Sequence, residues 1–361
     1  MHPREQVSLA AHTTLGVGGP ARYWLEAEDD AAVVRALDWA AARGLAVTAL
    51  GGGSNVLVAD RGLDALVLRP RMLGLSVERE PDALVVEVGA GRAWDELVAW
   101  SVAEGAAGLE CLSGIPGEVG AAPIQNIGAY GQEVGAVVLA VRVVDRATGA
   151  TEEVPAARSA FGYRDSVFKR EPGRSVVTAV RFRLALGRAA EPARSAYAEL
   201  ATALGPGPHT LADVRRTVLE LRRKKSMVHD PADENARSAG SFFVNPSVSA
   251  ETALRVAELA APLLGPGERM PRHATPDGRV KLAAAWLIER AGLPRGTLRG
   301  RVGLSTRHAL ALVNRGGASA AELVAFAAEV RARVRERFGV ALEPEVRLLG
   351  FTDEELRPLV A

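Results

Sequence analysis

The first seventy positions combine two hydrophobic periods, which together predict a small α/β unit. Apolar residues between positions 33 and 40 recur at helical spacing. Asp29 or Asp30 suits the cap of that helix, and we expect the helix to run through Arg43. The apolar runs around it predict three strands, at Ala21–Leu25, Leu45–Leu50 and Val56–Val58. The unit ends near Pro70.

The rest of the chain is rich in predicted strands up to residue 184 and becomes mainly helical after residue 211. We expect strands at Leu84–Val88, Val137–Val144 and Ser175–Leu184, and helices at Trp94–Glu104, Leu211–Lys225, Glu251–Leu264 and Lys281–Ala291. Ser319 and Glu322 have the spacing of a capping box, which predicts a helix that ends at Phe338 before Gly339. Residues 341–349 alternate between apolar and charged types, the pattern of a final strand.

One segment, Gly108–Gly131, has neither the helical nor the strand spacing of apolar residues. It holds six glycines and two prolines, and its only charged residues are Glu110 and Glu118. Glycine allows a backbone to approach a ligand closely and to take positive φ, and nearby Gln125, Asn126 and Tyr130 carry hydrogen-bonding groups. We interpret the segment as a ligand cradle. On composition alone, a tight structural turn region remains an alternative.

A second glycine cluster, Gly51–Asn55 (GGGSN), follows a predicted strand directly. Successive backbone N–H groups in such a turn bind phosphate oxygens, and bulky side chains would block that approach. The cluster leads into a strand-like run and contains no Lys-Ser/Thr pair, so a Rossmann site or a Walker loop is disfavoured. An ordinary tight turn explains this segment equally well.

Composition narrows the class of protein. The 361 residues include 44 basic and 43 acidic ones, a net charge of +1, so no general field favours nucleic acid or membranes. The single cysteine, Cys111, excludes an internal disulfide and has no candidate metal partners nearby, so we assign it a packing role and expect no metal site. We find no signal peptide and no run of 18 apolar residues. We therefore expect a cytoplasmic protein, and a monomer.

Seven segments together resemble one family, the UDP-N-acetylenolpyruvoylglucosamine reductases, flavoenzymes of peptidoglycan precursor synthesis. The segments occur in the family's order and are LGGGSN (Leu50–Asn55), SGIPGEVGAAPIQNIGAYG (Ser113–Gly131), YRDSVFK (Tyr163–Lys169), GSFFVNP (Gly240–Pro246), KLAAAWLIERAG (Lys281–Gly292), HALALVN (His308–Asn314) and LEPEVRLLG (Leu342–Gly350). The two glycine clusters alone would fit the wider superfamily of FAD oxidases. GSFFVNP and LEPEV point to the reductase itself.

The fold that this resemblance implies is α+β. It comprises a two-part FAD-binding α/β fold of the vanillyl-alcohol oxidase/PCMH type and a C-terminal α+β substrate-binding domain. Residues 1–70 and 71–225 would be the two FAD-binding subdomains and residues 226–339 the substrate-binding domain. The last strand, within residues 340–361, would return to the second subdomain. Because Gly51–Asn55 contains no His motif for covalent attachment, we expect noncovalent FAD.

The resemblance also implies the ligand-binding residues. The cofactor set is Gly51, Gly52, Gly53, Ser54, Asn55, Ile115, Pro116, Gly117, Gly120, Ala121, Gln125, Asn126, Gly128 and Arg222. The substrate set is Tyr130, Tyr163, Tyr197, Lys225, Asn245, Lys281 and His308. Lys281 at the start of a helix and Lys225 at the end of one would be suitable cations for a diphosphate. The family usually has glutamine at the position of His308.

The implied reaction reduces the enolpyruvyl ether of UDP-N-acetylglucosamine to UDP-N-acetylmuramate, with NADPH as the hydride donor to flavin. Hydride addition to the terminal alkene carbon places negative charge beside the substrate carboxylate, so a cation and a proton donor are required. The resemblance assigns Arg164 as the cation and Ser241 as the proton donor, with Glu345 helping to stabilise the enolate. Residue type alone would not separate Glu345 from Glu343.

Two other functions remain as alternatives. Another FAD oxidase or dehydrogenase of the same superfamily would oxidise an alcohol and would have a base in place of Ser241 and Glu345. A flavin-binding module without turnover would need none of Arg164, Ser241 and Glu345. The presence of all three therefore favours an enzyme.

Overall fold

The computed structural model describes residues 2–187, 198–275 and 277–360. The contacts within the chain divide it into two compact units. The first unit comprises the described parts of Met1–Val7, Ala21–Gly53 and Asp64–His229, and the second comprises those of Ser8–Pro20, Ser54–Leu63 and Asp230–Ala361. The predicted division into three domains stays a prediction.

The α-helices begin where the sequence supplies caps. Asp29 accepts a 2.6 Å hydrogen bond from the Ala32 N–H, and Ser319 and Glu322 form the predicted reciprocal capping box. Gly339 ends the long helix at φ +66°. The described α-helices are Asp30–Ala41, Trp94–Ala103, Ala156–Ser159, Val167–Arg170, Ala198–Leu204, Leu211–Lys224, Ala250–Ala260, Ala284–Arg290, Ala320–Phe338 and Asp353–Val360. The short 3-10 turns are Leu9–His12, Glu110–Leu112, Val119–Ala121, Val134–Ala136 and Ala261–Leu263.

The first unit contains two larger sheets. A four-stranded sheet has the order Arg4–Ser8, Pro20–Ala27, Leu63–Pro70 and Ala46–Ala49, with the last two strands parallel. An antiparallel sheet has the order Thr151–Pro155, Val138–Asp145, Ser175–Leu186, Ala83–Gly89 and Leu75–Arg79, with Ala106–Ala107 also paired to the long central strand. The hairpin Gly128–Ala129 with Gln132–Glu133 lies in the cradle.

The central strands of the antiparallel sheet bury apolar side chains on both faces, which explains their nearly continuous hydrophobic runs. Leu84, Val86 and Phe182 are fully buried in a cluster that also contains Trp94. The cradle residues Ile115 and Ile124 pack against the same cluster. The apolar residues spaced along the cradle therefore anchor it to the core.

The second unit has smaller sheets around one apolar core. Its three-stranded sheets have the orders Ser247–Val248, Val280–Leu282, Arg272–Ala274 and Leu298–Arg299, Val302–Leu304, Leu312–Asn314. The long helix Ala320–Phe338 buries Leu323, Phe326 and Phe338 in that core. Among the described residues, no helix has both the length and the hydrophobicity that a membrane crossing requires.

Two sequence expectations about local structure are wrong. Lys281 lies in the strand Val280–Leu282, and the helix begins only at Ala284, because backbone pairing with Ser247 and His273 holds Lys281 extended. The final strand is shorter than predicted, Arg347–Leu349, and pairs in parallel with Val56–Val58 instead of with the second predicted subdomain. The apolar alternation of residues 341–349 specifies burial, but it does not specify the pairing partner.

Candidate functional site

The glycine turn lies against the cradle in the first unit. A Cβ atom at Gly52 would be 3.2 Å from the Cα of Gly117, and one at Gly51 would be 3.2 Å from a carboxylate oxygen of Glu118. Gly53 has φ +61°, a conformation that favours glycine. Side chains at these positions would fill the space that the glycines leave, so the turn and the cradle together form a narrow, backbone-lined surface.

The next part of the cradle is fixed by backbone hydrogen bonds. The N–H groups of Val119 and Gly120 each donate at 2.9 Å, to the carbonyls of Arg92 and Ala90. A Cβ at Gly120 would be only 2.6 Å from that of Ala90, so packing alone requires glycine there. The predicted cofactor residues of the cradle that keep accessible surface are Ile115, Pro116, Gly117, Ala121, Gln125 and Gly128.

Glu118 is a buried carboxylate beside the glycine turn. One oxygen accepts a 2.7 Å hydrogen bond from Arg69, and the other has no hydrogen-bond partner among the described residues. Burial raises the pKa of Glu118, and the Arg69 guanidinium offsets this only in part. Glu118 is one of only two charged residues between Gly108 and Gly131, but its residue type alone indicates no role.

Arg222 places a second charge at the cradle. Its guanidinium donates to the carbonyls of Met227 (2.7 Å) and Gly114 (3.4 Å), and its buried Nε has no hydrogen-bond partner among the described residues. Burial lowers the pKa of Arg222, Tyr130 and Asp95 raise it, and Arg164 lowers it further. Arg222, Tyr130 and Arg164 therefore lie within electrostatic range of one another.

A salt bridge that the sequence analysis missed supports this part of the cradle. Asp95 accepts two hydrogen bonds from Arg215, at 2.6 and 2.8 Å, and a third from the Gly114 N–H at 2.6 Å. Burial opposes ionisation of Asp95, but these hydrogen bonds outweigh it and lower its pKa. The partners are 120 residues apart in sequence, a separation that no local pattern reveals.

Arg164 lies at the tip of a tight turn. Gly162 and Asp165 pair across it, and Arg164 has φ +54°, a strained value for a residue with a side chain. Its Nη2 donates to the Gly128 carbonyl at 2.7 Å, and its guanidinium lies 5.6 Å from the ring centroid of Tyr163, which is 48% exposed. The structure thus connects Arg164 with Gly128 and Tyr163 of the predicted ligand sets.

In the second unit, the segment that carries Ser241 pairs through its backbone with the segment that carries Glu345. The Glu345 N–H donates to the Phe242 carbonyl at 2.8 Å, and Phe243 pairs with Pro344. Phe242 and Phe243 are buried, whereas Ser241 and Glu345 keep accessible surface. Asn55 also donates to the carbonyl of Glu345, at 3.3 Å. Glu343 is more exposed than Glu345, although both lie in the same segment.

Two of the predicted substrate residues of the second unit belong to one local structure. The Asn245 Oδ1 accepts a 2.9 Å hydrogen bond from the Ala284 N–H and so caps the helix Ala284–Arg290, whose own N-cap, Ala283, has no capping side chain. Lys281 is paired with Ser247, two residues after Asn245. His308 lies in the loop before the strand Leu312–Asn314, and its carbonyl accepts from the Ala311 N–H.

The remaining two predicted substrate residues are Lys225 and Tyr197. The helix Leu211–Lys224 ends one residue before the predicted end, so Lys225 is its C-cap residue, and the Lys225 Nζ forms a 2.6 Å ion pair with Glu199. Tyr197 lies outside the described residues.

The first unit has the features that a flavin dinucleotide needs. Its glycine turn is a surface that a Cβ would fill, Arg222 supplies a permanent cation with a buried N–H that is unpaired among the described residues, and Ile115 and Pro116 offer apolar surface. In the described part of the chain, no cluster of three or more His, Cys, Asp or Glu residues is arranged to hold a metal ion.

Comparison with known proteins gives the same result. Residues 230–349 match the family described as UDP-N-acetylenolpyruvoylglucosamine reductase, C-terminal domain, and residues 21–154 match the FAD binding domain family. The reductase of Thermobifida fusca is 49% identical over 353 residues, which cover 96% of this chain and 98% of that protein. The chain belongs to the UDP-N-acetylenolpyruvoylglucosamine reductase family.

Other members of the reductase family agree along the whole chain. The protein of Saccharopolyspora erythraea is 48% identical over 344 residues, covering 94% of this chain and 93% of that one. The crystal structure of the Thermus caldophilus reductase superposes with a TM-score of 0.63 at 28% identity, covering 96% of this chain and 100% of that one. The predicted resemblance is therefore confirmed, as is an α+β fold with an FAD-binding domain followed by the reductase C-terminal domain. The chain is an FAD-dependent oxidoreductase.

Proposed function

We propose that this protein reduces UDP-N-acetylglucosamine enolpyruvate to UDP-N-acetylmuramate, with NADPH as the source of the hydride. It would act as a cytoplasmic monomer in peptidoglycan precursor synthesis, and so would serve cell shape and division. Family membership supports the reaction class. The site residues assign the steps that the protein itself performs.

FAD, when bound, supplies the hydride transfer from NADPH to the substrate alkene. The residues that would hold FAD are the glycine turn, the cradle residues with accessible surface and Arg222. Arg164 provides the fixed positive charge that the developing enolate requires. Its guanidinium is held by the Gly128 carbonyl at 2.7 Å, so little reorganisation is needed when charge develops.

The observation that supports the protonation step is the backbone pairing between the segment that carries Ser241 and the segment that carries Glu345. The 2.8 Å hydrogen bond between the Glu345 N–H and the Phe242 carbonyl fixes the two segments, and the two buried phenylalanines hold that backbone in the core. Ser241 and Glu345 thus lie on paired segments, and both keep accessible surface. We assign Ser241 as the donor of the proton to the carbon next to the carboxylate, and Glu345 as the group that stabilises the enolate.

The test separates the two half-reactions. In the Ser241→Ala variant we expect NADPH to bleach the flavin at the wild-type rate, because the hydroxyl takes no part in that step. Anaerobic reoxidation by UDP-N-acetylglucosamine enolpyruvate should be slower by about 10²- to 10⁴-fold, the usual contribution of a general acid. Stopped-flow absorbance of the flavin measures both rates.

Ser241→Cys retains an acidic proton and should recover part of the reoxidation rate. Ser76→Ala, at an exposed serine of the strand Leu75–Arg79, is the matched control and should leave both rates unchanged. Wild-type reoxidation in Ser241→Ala would refute the proton-donor assignment.

A further inference from the structure

Asn126 has an unusual environment for a residue in a ligand cradle. It is 2% exposed and has φ +45°, a left-handed conformation that asparagine tolerates better than most residues. Its Nδ2 donates to Glu133 at 2.8 Å and to the Gly162 carbonyl at 2.9 Å, and its Oδ1 accepts from the Gly135 N–H at 2.8 Å. Both of its Nδ2 hydrogens and its Oδ1 thus form hydrogen bonds with protein groups.

The Gly162 carbonyl is the base of the turn that carries Arg164. The turn is joined to the cradle at three alternate residues. Ser166 Oγ donates to the Ile124 carbonyl at 2.5 Å, Asn126 donates to Gly162, and Arg164 donates to the Gly128 carbonyl at 2.7 Å. Of these three, only Asn126 contributes its side chain from the cradle side.

Two glycines make room for this arrangement. A Cβ at Gly135 would lie 2.9 Å from the Asn126 Oδ1 and 2.8 Å from the Phe161 ring. A Cβ at Gly128 would lie 2.9 Å from the Glu133 Cγ and 3.2 Å from the Arg164 Nη1. Both glycines therefore allow Asn126, Glu133 and Arg164 to approach the cradle backbone closely.

We propose that Asn126 is a positioning residue for Arg164. Its carboxamide fixes the Gly162–Asp165 turn to the cradle, and so holds the left-handed backbone of Arg164 in a position that preorganises the guanidinium. The inference rests on the proposed role of Arg164 in the reaction. It also gives the Asn126 side chain a different task from the contact with the cofactor that the resemblance implies.

The most informative substitution is Asn126→Gly, because it removes the side chain with its carboxamide and glycine accepts the left-handed φ. We expect anaerobic reoxidation of reduced flavin by the enolpyruvyl substrate to slow at least 10-fold, since a small displacement of a catalytic cation is costly. Reduction by NADPH and retention of FAD by the holoenzyme should change less than about 2-fold. If the Asn126 side chain bound FAD, the Asn126→Gly variant would instead lose flavin, and that result would overturn the proposal.

A double-mutant cycle decides whether Asn126 acts through Arg164. We expect Arg164→Ala to slow reoxidation about 100-fold, as for a lost charge-assisted interaction. The double variant Asn126→Gly/Arg164→Ala should be no slower than Arg164→Ala alone, because an absent side chain needs no positioning. If the double variant were slower by the product of the two single-variant factors, the positioning role would be contradicted. Wild-type behaviour of Arg164→Ala would instead contradict the proposed function, so the two failures are distinguishable.

Controls distinguish positioning from a general loss of stability. Glu133→Gln keeps an oxygen acceptor for the Asn126 Nδ2 and should preserve most of the reoxidation rate. Asn314→Gly removes another buried carboxamide, one that binds backbone groups of Leu15, Gly316 and Ala318 in the second unit. If Asn126→Gly does not fold, Asn126→Asp replaces the donor with a like charge beside Glu133 and tests the same cycle.

Discussion

The two units hold the side chains that we propose to be catalytic by different physical means. In the first unit, Arg164 is held by polar contacts between a strained turn and the glycine-rich cradle, with Asn126 at their centre. In the second, Ser241 and Glu345 are held by backbone pairing between segments whose neighbouring phenylalanines are buried. The first arrangement depends on side-chain hydrogen bonds, and the second depends on backbone pairing that apolar packing supports.

This difference predicts what each region tolerates. A polar network loses its geometry when one donor is removed, although the surrounding core stays intact. A residue positioned by a core tolerates polar changes nearby but responds to any cavity beneath it. We therefore expect substitutions in the first unit to separate activity from stability, and substitutions under Ser241 to change both together.

The largest effect should come from the second unit. Phe243 is fully buried, and its ring centroid lies 5.1 Å from that of Phe242. Phe243→Ala should reduce the free energy of unfolding by about 3–5 kcal/mol, the usual cost of the cavity, and should slow substrate reduction as well. Urea denaturation followed by circular dichroism, together with flavin reoxidation, measures both quantities.

Leu254→Ala provides the matched control, because Leu254 is 59% exposed in the same unit and its truncation should change stability by no more than about 0.5 kcal/mol. A Phe243→Ala protein of wild-type stability would break the comparison, since Ser241 would then not depend on the apolar core.

Local sequence signals predicted much of this fold but little of the long-range structure. The cap of Asp29, the capping box at Ser319 and the strand Ser175–Leu186 follow from nearby residues, and each occurs close to its expected place. Lys281 was placed in a helix because the sequence shows no sign that Asn245, 39 residues away, would supply the cap at Ala284.

For the candidate site too, some residues could be predicted from the sequence and others could not. Motif resemblance pointed to Ser241 and Glu345, and the structure shows that their segments pair. It did not reveal the roles of Glu118, Asp95 or Arg215, because their partners are distant in sequence and their residue types are common in surface salt bridges.

A smaller effect on stability should come from the buried carboxylate of Glu118 in the first unit. Burial raises the pKa of Glu118 above 4.5, so the folded state binds that proton more tightly than the unfolded state does. The stability that Glu118 contributes is therefore present below pH 4.5 and is lost as pH rises through the raised pKa. Glu118→Gln should therefore gain stability relative to wild type as pH rises above 4.5.

Asp95, in the same unit, should have the opposite effect on how stability depends on pH. Its pKa lies below 3.8, so its contribution is present above pH 3.8 and is lost as pH falls through the lowered pKa. Asp95→Asn should therefore be most destabilising near neutral pH and less so in acid. Urea unfolding across this pH range tests both variants, and equal pH slopes for the two would contradict the assigned environments.

The central claim is that this chain reduces an enolpyruvyl group with hydride from NADPH. The most direct measurement is anaerobic: reduce the purified holoenzyme with NADPH, add UDP-N-acetylglucosamine enolpyruvate, and follow the flavin absorbance. We predict bleaching by NADPH and prompt recovery of the oxidised spectrum on addition of the substrate. Bleaching without recovery would contradict the assigned substrate while leaving the FAD-binding fold intact.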